Sequence, residues 1–187
     1  YFYPPNAPGG TQSVPLASPG SVVASEITLN RRTVGGVPTT EDYSLTFAAC
    51  SDVRMTFAHI TELAPSLAAR VGPVDGSCDA PYQTGGVTSV SCRKGIRVQL
   101  EAGELIGRTG GPMQGGLDFT ALDRRVSLAF INPGRSWGPS GPFGQNQAAC
   151  PLDYFAAPVA DALRALLGRP GSRRVTEPIC GEVNQDV

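Results

Sequence analysis

Residues 43–60 read Tyr43-Ser44-Leu45-Thr46-Phe47-Ala48-Ala49-Cys50-Ser51-Asp52-Val53-Arg54-Met55-Thr56-Phe57-Ala58-His59-Ile60. Tyr43, Leu45 and Phe47 alternate with Ser44, Thr46 and Ala48, and Val53, Met55 and Phe57 alternate with Arg54, Thr56 and Ala58. Side chains two apart share one face of a strand, so each run is a half-buried strand with one apolar side. Ala49 to Asp52 is long enough to turn between them, which makes the pair an antiparallel hairpin. In this phase His59 falls in line with Phe57 and Met55.

The same grammar extends outward. Before the hairpin, Val14–Leu16 is a short strand, residues 21–30 are rich in β-branched residues and form another, and Thr33–Thr40 reads as a loop because it holds Gly35, Gly36 and Pro38. After it, Leu63–Arg70 fits a short helix with Pro65 in its first turn, ended by Gly72-Pro73. Residues 79–91 form a loop or hairpin. Ile96, Val98 and Leu100 alternate; Leu105-Ile106 starts a strand that halts at Gly107; Leu117, Phe119 and Ala121 alternate again; Val126–Ile131 is a further strand. Residues 132–147 form a loop holding the only Trp, Trp137. Leu152, Phe155, Val159, Leu163 and Leu166 recur at helical spacing, and Pro158 divides them into a turn near 152–156 and a helix over 158–167. The expected fold is mainly β, an antiparallel sandwich or roll with short helices and a C-terminal helix. Residues 1–132 form the β domain, and 133–187 a loop plus helical appendage on the same domain.

Composition narrows the function classes. Gly 23 and Pro 17 make about a fifth of 187 residues, below the roughly 25–30% of low-complexity chains. Fifteen basic and sixteen acidic residues leave a formal charge of -1, which argues against a nucleic-acid binder. Apolar runs fall far short of the ~20 residues that span a bilayer. The chain starts Tyr1-Phe2-Tyr3, as expected of a processed or truncated piece. Five cysteines without a Cys-x-x-Cys motif point to a secreted or cell-surface protein, with buried reduced thiols as the alternative. Cys78 and Cys92 flank a Gly/Ser/Thr-rich segment and are expected to pair; so are Cys150 and Cys180 around the helical region. Cys50 is left over.

Chemistry is sparse. His59 is the only histidine, which excludes a self-contained two-His metal site. Cys50-Ser51-Asp52 could supply a thiol to His59, but a bonded or buried cysteine is the better reading. Asp118 and Asp123 could pair for glycoside cleavage, although Asp123-Arg124-Arg125 reads as a charged turn. Trp137 and Phe143 could stack on sugar rings or fold back onto the core.

The order of pieces resembles a known family. Pro19-Gly20-Ser21-Val22-Val23, then Phe57-Ala58-His59-Ile60, then Ala102 to Gly110, then Gly116-Leu117-Asp118-Phe119 are similar to successive motifs of the M23 metallopeptidases, lysostaphin-like enzymes of duplicated-hybrid-motif fold. The resemblance covers residues 14–131. It implies that fold and an ancestry among zinc enzymes that cleave bacterial cell-wall peptides. It places His59 at an accessory catalytic position and Asp118 at a metal-ligand position. The family's His-Leu-His is here Gly116-Leu117-Asp118, so the zinc motif is degenerate. A catalytic zinc needs about three protein ligands and one open position, and His59 and Asp118 offer two. The expectation is a non-catalytic extracellular protein without a cofactor, structural or binding to peptidoglycan or glycan. The alternatives are a zinc metallohydrolase completed by ligands upstream, and a self-assembling fibre subunit whose odd cysteine and Pro-rich start join neighbours.

Overall fold

The computed structural model describes residues 12–111, 116–127 and 145–167. The fold is mainly β and antiparallel. Its strands are β1 (Ser13–Ala17), β2 (Val22–Val34), β3 (Val37–Ala48), β4 (Val53–Leu63), β5 (Ser77–Cys78), β6 (Tyr82–Thr84), β7 (Val87–Leu100), β8 (Leu105–Gly110), β9 (Asp118–Asp123) and β10 (Ala148–Ala149). Among the described residues two α-helices accompany them, α1 (Pro65–Val71) and α2 (Ala157–Leu167). The sheet runs β1-β8-β4-β3-β2-β7-β5, with β6 paired to β7 and β9 paired to β4 and β10.

The expected loop over Thr33–Thr40 is instead the tip of a long hairpin. Gly35 and Gly36 take φ of 58° and 81°, the left-handed pair that a two-residue hairpin turn needs and that matches strand twist. The flanking residues therefore stay in register, Val34 opposite Val37 and Arg32 opposite Thr40. A register shift after Arg32 accommodates Pro38, which has no N–H to donate. Gly85-Gly86 repeats the device between β6 and β7, which settles residues 79–91 as a hairpin. The first helix starts two residues later than expected because β4 continues to Leu63. Of the expected strand Val126–Ile131, Val126 and Ser127 are not in a strand, and the rest lies outside the described residues.

By contacts the chain forms two units, Tyr1–Ala49 with Thr56–Phe119, and Cys50–Met55 with Thr120–Val187. In the first, Ile27, Leu45, Phe47, Ile60, Leu67, Leu100 and Ile106 are fully buried. Phe57 lies between two rings, its centroid 5.2 Å from Phe47 and 4.6 Å from Phe119. Lys94 Nζ donates to the carbonyls of Val71 (2.7 Å) and Pro73 (2.9 Å), satisfying the end of α1. Cys78 and Cys92 are register partners of β5 and β7 and are disulfide-bonded, as the sequence suggested. With a sequence separation of 14, loop-closure entropy gives the bond about 3 kcal/mol. Replacing Cys78 and Cys92 together by serine is expected to lower the urea midpoint of the protein by that amount divided by its m-value, and an unchanged midpoint would refute the figure.

In the second unit, Val53, Met55, Ala121, Leu152 and Ala160 are buried. A 3-10 turn over Pro151–Tyr154 precedes α2, close to the expected turn and helix. Buried Asp123 ties the unit together. Its Oδ1 accepts from the Arg125 backbone N–H (2.8 Å) and Nε (2.8 Å), and its Oδ2 from Arg125 Nη2 (2.6 Å) and the Tyr154 hydroxyl (2.6 Å). Arg125, then Tyr154, hold the Asp123 carboxyl well below the usual carboxylate range. Burial first, then the bond to Asp123, pushes the Tyr154 phenol up to about 12.

The signs follow. A carboxylate depressed on folding stabilises above the unfolded value near 4, and that contribution is lost as the pH falls below it. A phenol raised on folding stabilises below the unfolded value near 10, and that contribution is lost as the pH rises further. Melting temperatures across pH should therefore fall at both ends. Asp123→Asn should flatten the acid limb and Tyr154→Phe the alkaline limb; unchanged limbs in both variants would refute the assignment.

Candidate functional site

Strand β4 shows why the single histidine stands apart. Val53, Met55 and Phe57 are buried, Arg54 and Thr56 half-buried, and then Ala58 and His59 are both half-buried before Ile60 is buried again. One extra residue has entered the alternation. His59 has φ of 68°, the only positive φ outside glycine among the described residues, and the register of β4 against β8 shifts just after Ile60. This is a bulge, which re-aims one side chain at the cost of local backbone strain. His is among the residue types enriched in this left-handed region. The Thr109 hydroxyl donates to the His59 carbonyl at 2.9 Å, so the displaced carbonyl keeps a partner.

The expectation that His59 lies in phase with Phe57 is thereby corrected. Phe57 packs between Phe47 and Phe119. His59 instead meets Asp42 of β3 and Asp118 of β9, whose positions are of opposite parity to Phe47 and Phe119 in their strands. The aromatic stack holds β4, β3 and β9 together on one face, and the polar group forms on the other.

Its geometry is a chain. The Ser91 hydroxyl donates to Asn30 Oδ1 at 2.8 Å, and Asn30 Nδ2 donates to Asp42 Oδ1 at 3.0 Å. Asp42 Oδ2 lies 3.4 Å from His59 Nδ1 with hydrogen-bond geometry. On the other edge of the ring, His59 Nε2 lies 3.4 Å from Asp118 Oδ2. Side-chain exposure rises along the chain, from 5% at Asp42 to 17% at His59 and 28% at Asp118. The outer end of the chain is therefore the part a ligand can reach.

The three side chains do not fit a single zinc ion. Asp42 faces Nδ1 and Asp118 faces Nε2, and these nitrogens point to different sides of one rigid ring. At most one nitrogen and one carboxylate converge, short of the usual three ligands. Among the described residues no group of three or more His, Cys, Asp or Glu could hold a metal ion. His59 and Asp118 instead bring an imidazole nitrogen and a carboxylate oxygen within 3.4 Å of each other, backed by the buried Asp42 carboxylate.

The structure thus brings together His59 and Asp118, the two positions singled out from sequence. It adds Asp42, Asn30 and Ser91, which no motif marked; their relation exists only through strand register, Asn30 opposite both Asp42 and Ser91. Gly116 and Leu117, which precede Asp118, are buried. Asp123 is committed to Arg125 and Tyr154. Cys50 is a free, exposed thiol. Cys150 is disulfide-bonded, while Cys180, its expected partner, lies outside the described residues, as do Trp137 and Phe143. No helix among the described residues is long and apolar enough to cross a membrane. No protein-family model, curated protein or solved structure matches the chain.

Proposed function

We propose that the chain is a secreted or cell-surface relative of the M23 peptidases that binds cell-wall glycan or peptide without cleaving it. The observation that carries this reading is the half-buried pair of His59 and Asp118, whose Nε2 and Oδ2 lie 3.4 Å apart. A carboxylate beside an imidazole, at the exposed end of a buried hydrogen-bond chain, suits the hydroxyl, amide and ammonium groups of peptidoglycan. The order along the chain of Phe57-Ala58-His59-Ile60, Ala102 to Gly110 and Gly116-Leu117-Asp118-Phe119 supports the M23-like ancestry. The Cys78–Cys92 bond supports an oxidising compartment.

Co-sedimentation with insoluble peptidoglycan and zymography test the proposal together. Retention without clearing is the expected result, and Asp118→Ala should weaken retention about tenfold, the effect of one hydrogen bond to a charged group. Clearing of the gel would favour a metallohydrolase completed by other residues. Absence of retention would sink the binding role.

A further inference from the structure

We propose that the outer half of the β3-β2-β7-β6 sheet is a carbohydrate platform, with Tyr82 as its stacking ring and Arg32 as its hydrogen-bonding arm, which extends the site at His59 and Asp118 along a sugar chain. Strand register builds it. Residues directly opposite one another in an antiparallel pair project from the same face, as do residues two apart in one strand. Asn30 is opposite Asp42 and Ser91. One row outward, Arg32 is opposite Thr40 and Ser89, and Ser89 is opposite Tyr82. At the hairpin tip, Val34 is opposite Val37 and Val87. The three rows therefore lie on one face, the face that carries Asp42. With strands about 4.8 Å apart and rows about 7 Å apart, Tyr82 stands about 16 Å from Asp42. That span suits a short oligosaccharide rather than a single sugar.

The side chains of the middle row are open to a ligand. Tyr82 is 66% exposed, and its neighbour across the strands is the small Ser89. Its strand is held by the Cys78–Cys92 bond before it and the Gly85-Gly86 turn after it. The exposed ring thus sits on fixed backbone, and binding to it costs little ordering. Arg31 projects from the opposite face and pairs with Glu41. Arg32 is exposed, and among the described residues its guanidinium has neither ion pair nor hydrogen bond. Thr40 Oγ1 is buried without a hydrogen-bond partner, an orphan that a ligand hydroxyl, or a water carried by it, satisfies. A sugar matches this set, with an apolar ring face for the aromatic side chain and hydroxyls that both donate and accept. A peptide strand adds to unpaired backbone at a sheet edge, whereas β2 and β7 are paired on both sides. A formal charge of -1 does not suit a nucleic acid.

The proposal rests on reading His59 and Asp118 as the binding centre, and adds that the ligand is the sugar chain. Calorimetric titration of the full chain with chitin tetrasaccharide, a glycan free of peptide, tests it. Tyr82→Ala should weaken binding about tenfold, and Tyr82→Phe should keep it within about twofold, because the ring rather than the hydroxyl does the stacking. Arg32→Ala should weaken it about threefold to tenfold, while Arg31→Ala, on the opposite face, should leave it unchanged. Both platform side chains are exposed, so the variants should keep the parent's urea midpoint, which separates a lost contact from a lost fold. Parental affinity in Tyr82→Ala overturns the platform; if Asp118→Ala still weakens binding, the reading of the site survives that failure. Retention on peptidoglycan without binding of the tetrasaccharide also overturns the platform and leaves a peptide as the ligand of the site. Self-association in sedimentation that Tyr82→Ala abolishes, with no sugar bound, gives this face to a second copy and overturns the proposal too.

Discussion

Phe57→Ala should cost about 4 kcal/mol of stability, in the range measured for large aromatic truncations in cores. Phe57 is 4% exposed and meets Phe47 and Phe119 at centroid distances of 5.2 and 4.6 Å. Truncation removes both aromatic contacts and leaves a cavity bounded by strands whose hydrogen bonds prevent collapse. The site should suffer with the core. Phe119 adjoins Asp118 in β9, and Phe57 lies two residues before His59 in β4, so the stack sets the spacing of His59 and Asp118 on the opposite face. Urea denaturation measures the first effect. The His59 ring signals measure the second, and a variant with a loss under about 1 kcal/mol would show that the pocket refills.

Gly107→Ala should be as damaging for a different reason. Gly107 sits in β8 between β1 and β4, opposite Leu16 and Leu63. A Cβ there would overlap the Glu62 carbonyl oxygen and lie 3.1 Å from both the Glu62 carbonyl carbon and Ile60 Cγ2. Overpacking usually costs about 1–3 kcal/mol because side chains move aside. Here the obstacle is backbone in a paired strand, so the loss should reach about 4 kcal/mol, at the upper end for single substitutions. A small change in the denaturation midpoint would mean that β4 and β8 can separate locally. As a control, alanine at Gly95, where a Cβ would meet nothing within 4 Å, should be nearly neutral.

These two positions also show what could be read in advance. Phe57 was legible as a core residue because alternation over Val53, Met55 and Phe57 is a local signal. Gly107 was legible only as the point where a strand pauses. It does not pause: β8 continues to Gly110, and glycine is there because a neighbouring strand comes too close for a side chain. Closeness between strands is a property of pairing, which composition at one position does not encode. The Gly35-Gly36 pair misled in the opposite direction. Two glycines and a nearby proline suggested a loop, whereas the glycines make the tightest turn available and let both strands run on to it.

The same division holds for the site. His59 was conspicuous as the sole histidine, and Asp118 through a resemblance to a motif. The residues that orient them were invisible, because Ser91, Asn30 and Asp42 are common polar residues 61 and 12 positions apart along the chain. The sequence by itself determined the mainly β, antiparallel character, the turn points, the Cys78–Cys92 pair and the amphipathic C-terminal helix, all of which arise from periodicity or from nearby residues. Only the tertiary structure decided which way His59 faces. One residue of bulge, with φ of 68°, inverts the alternation that any pattern reading must assume. The direction of that inversion follows from contacts with β3, β8 and β9 rather than from the residues beside it.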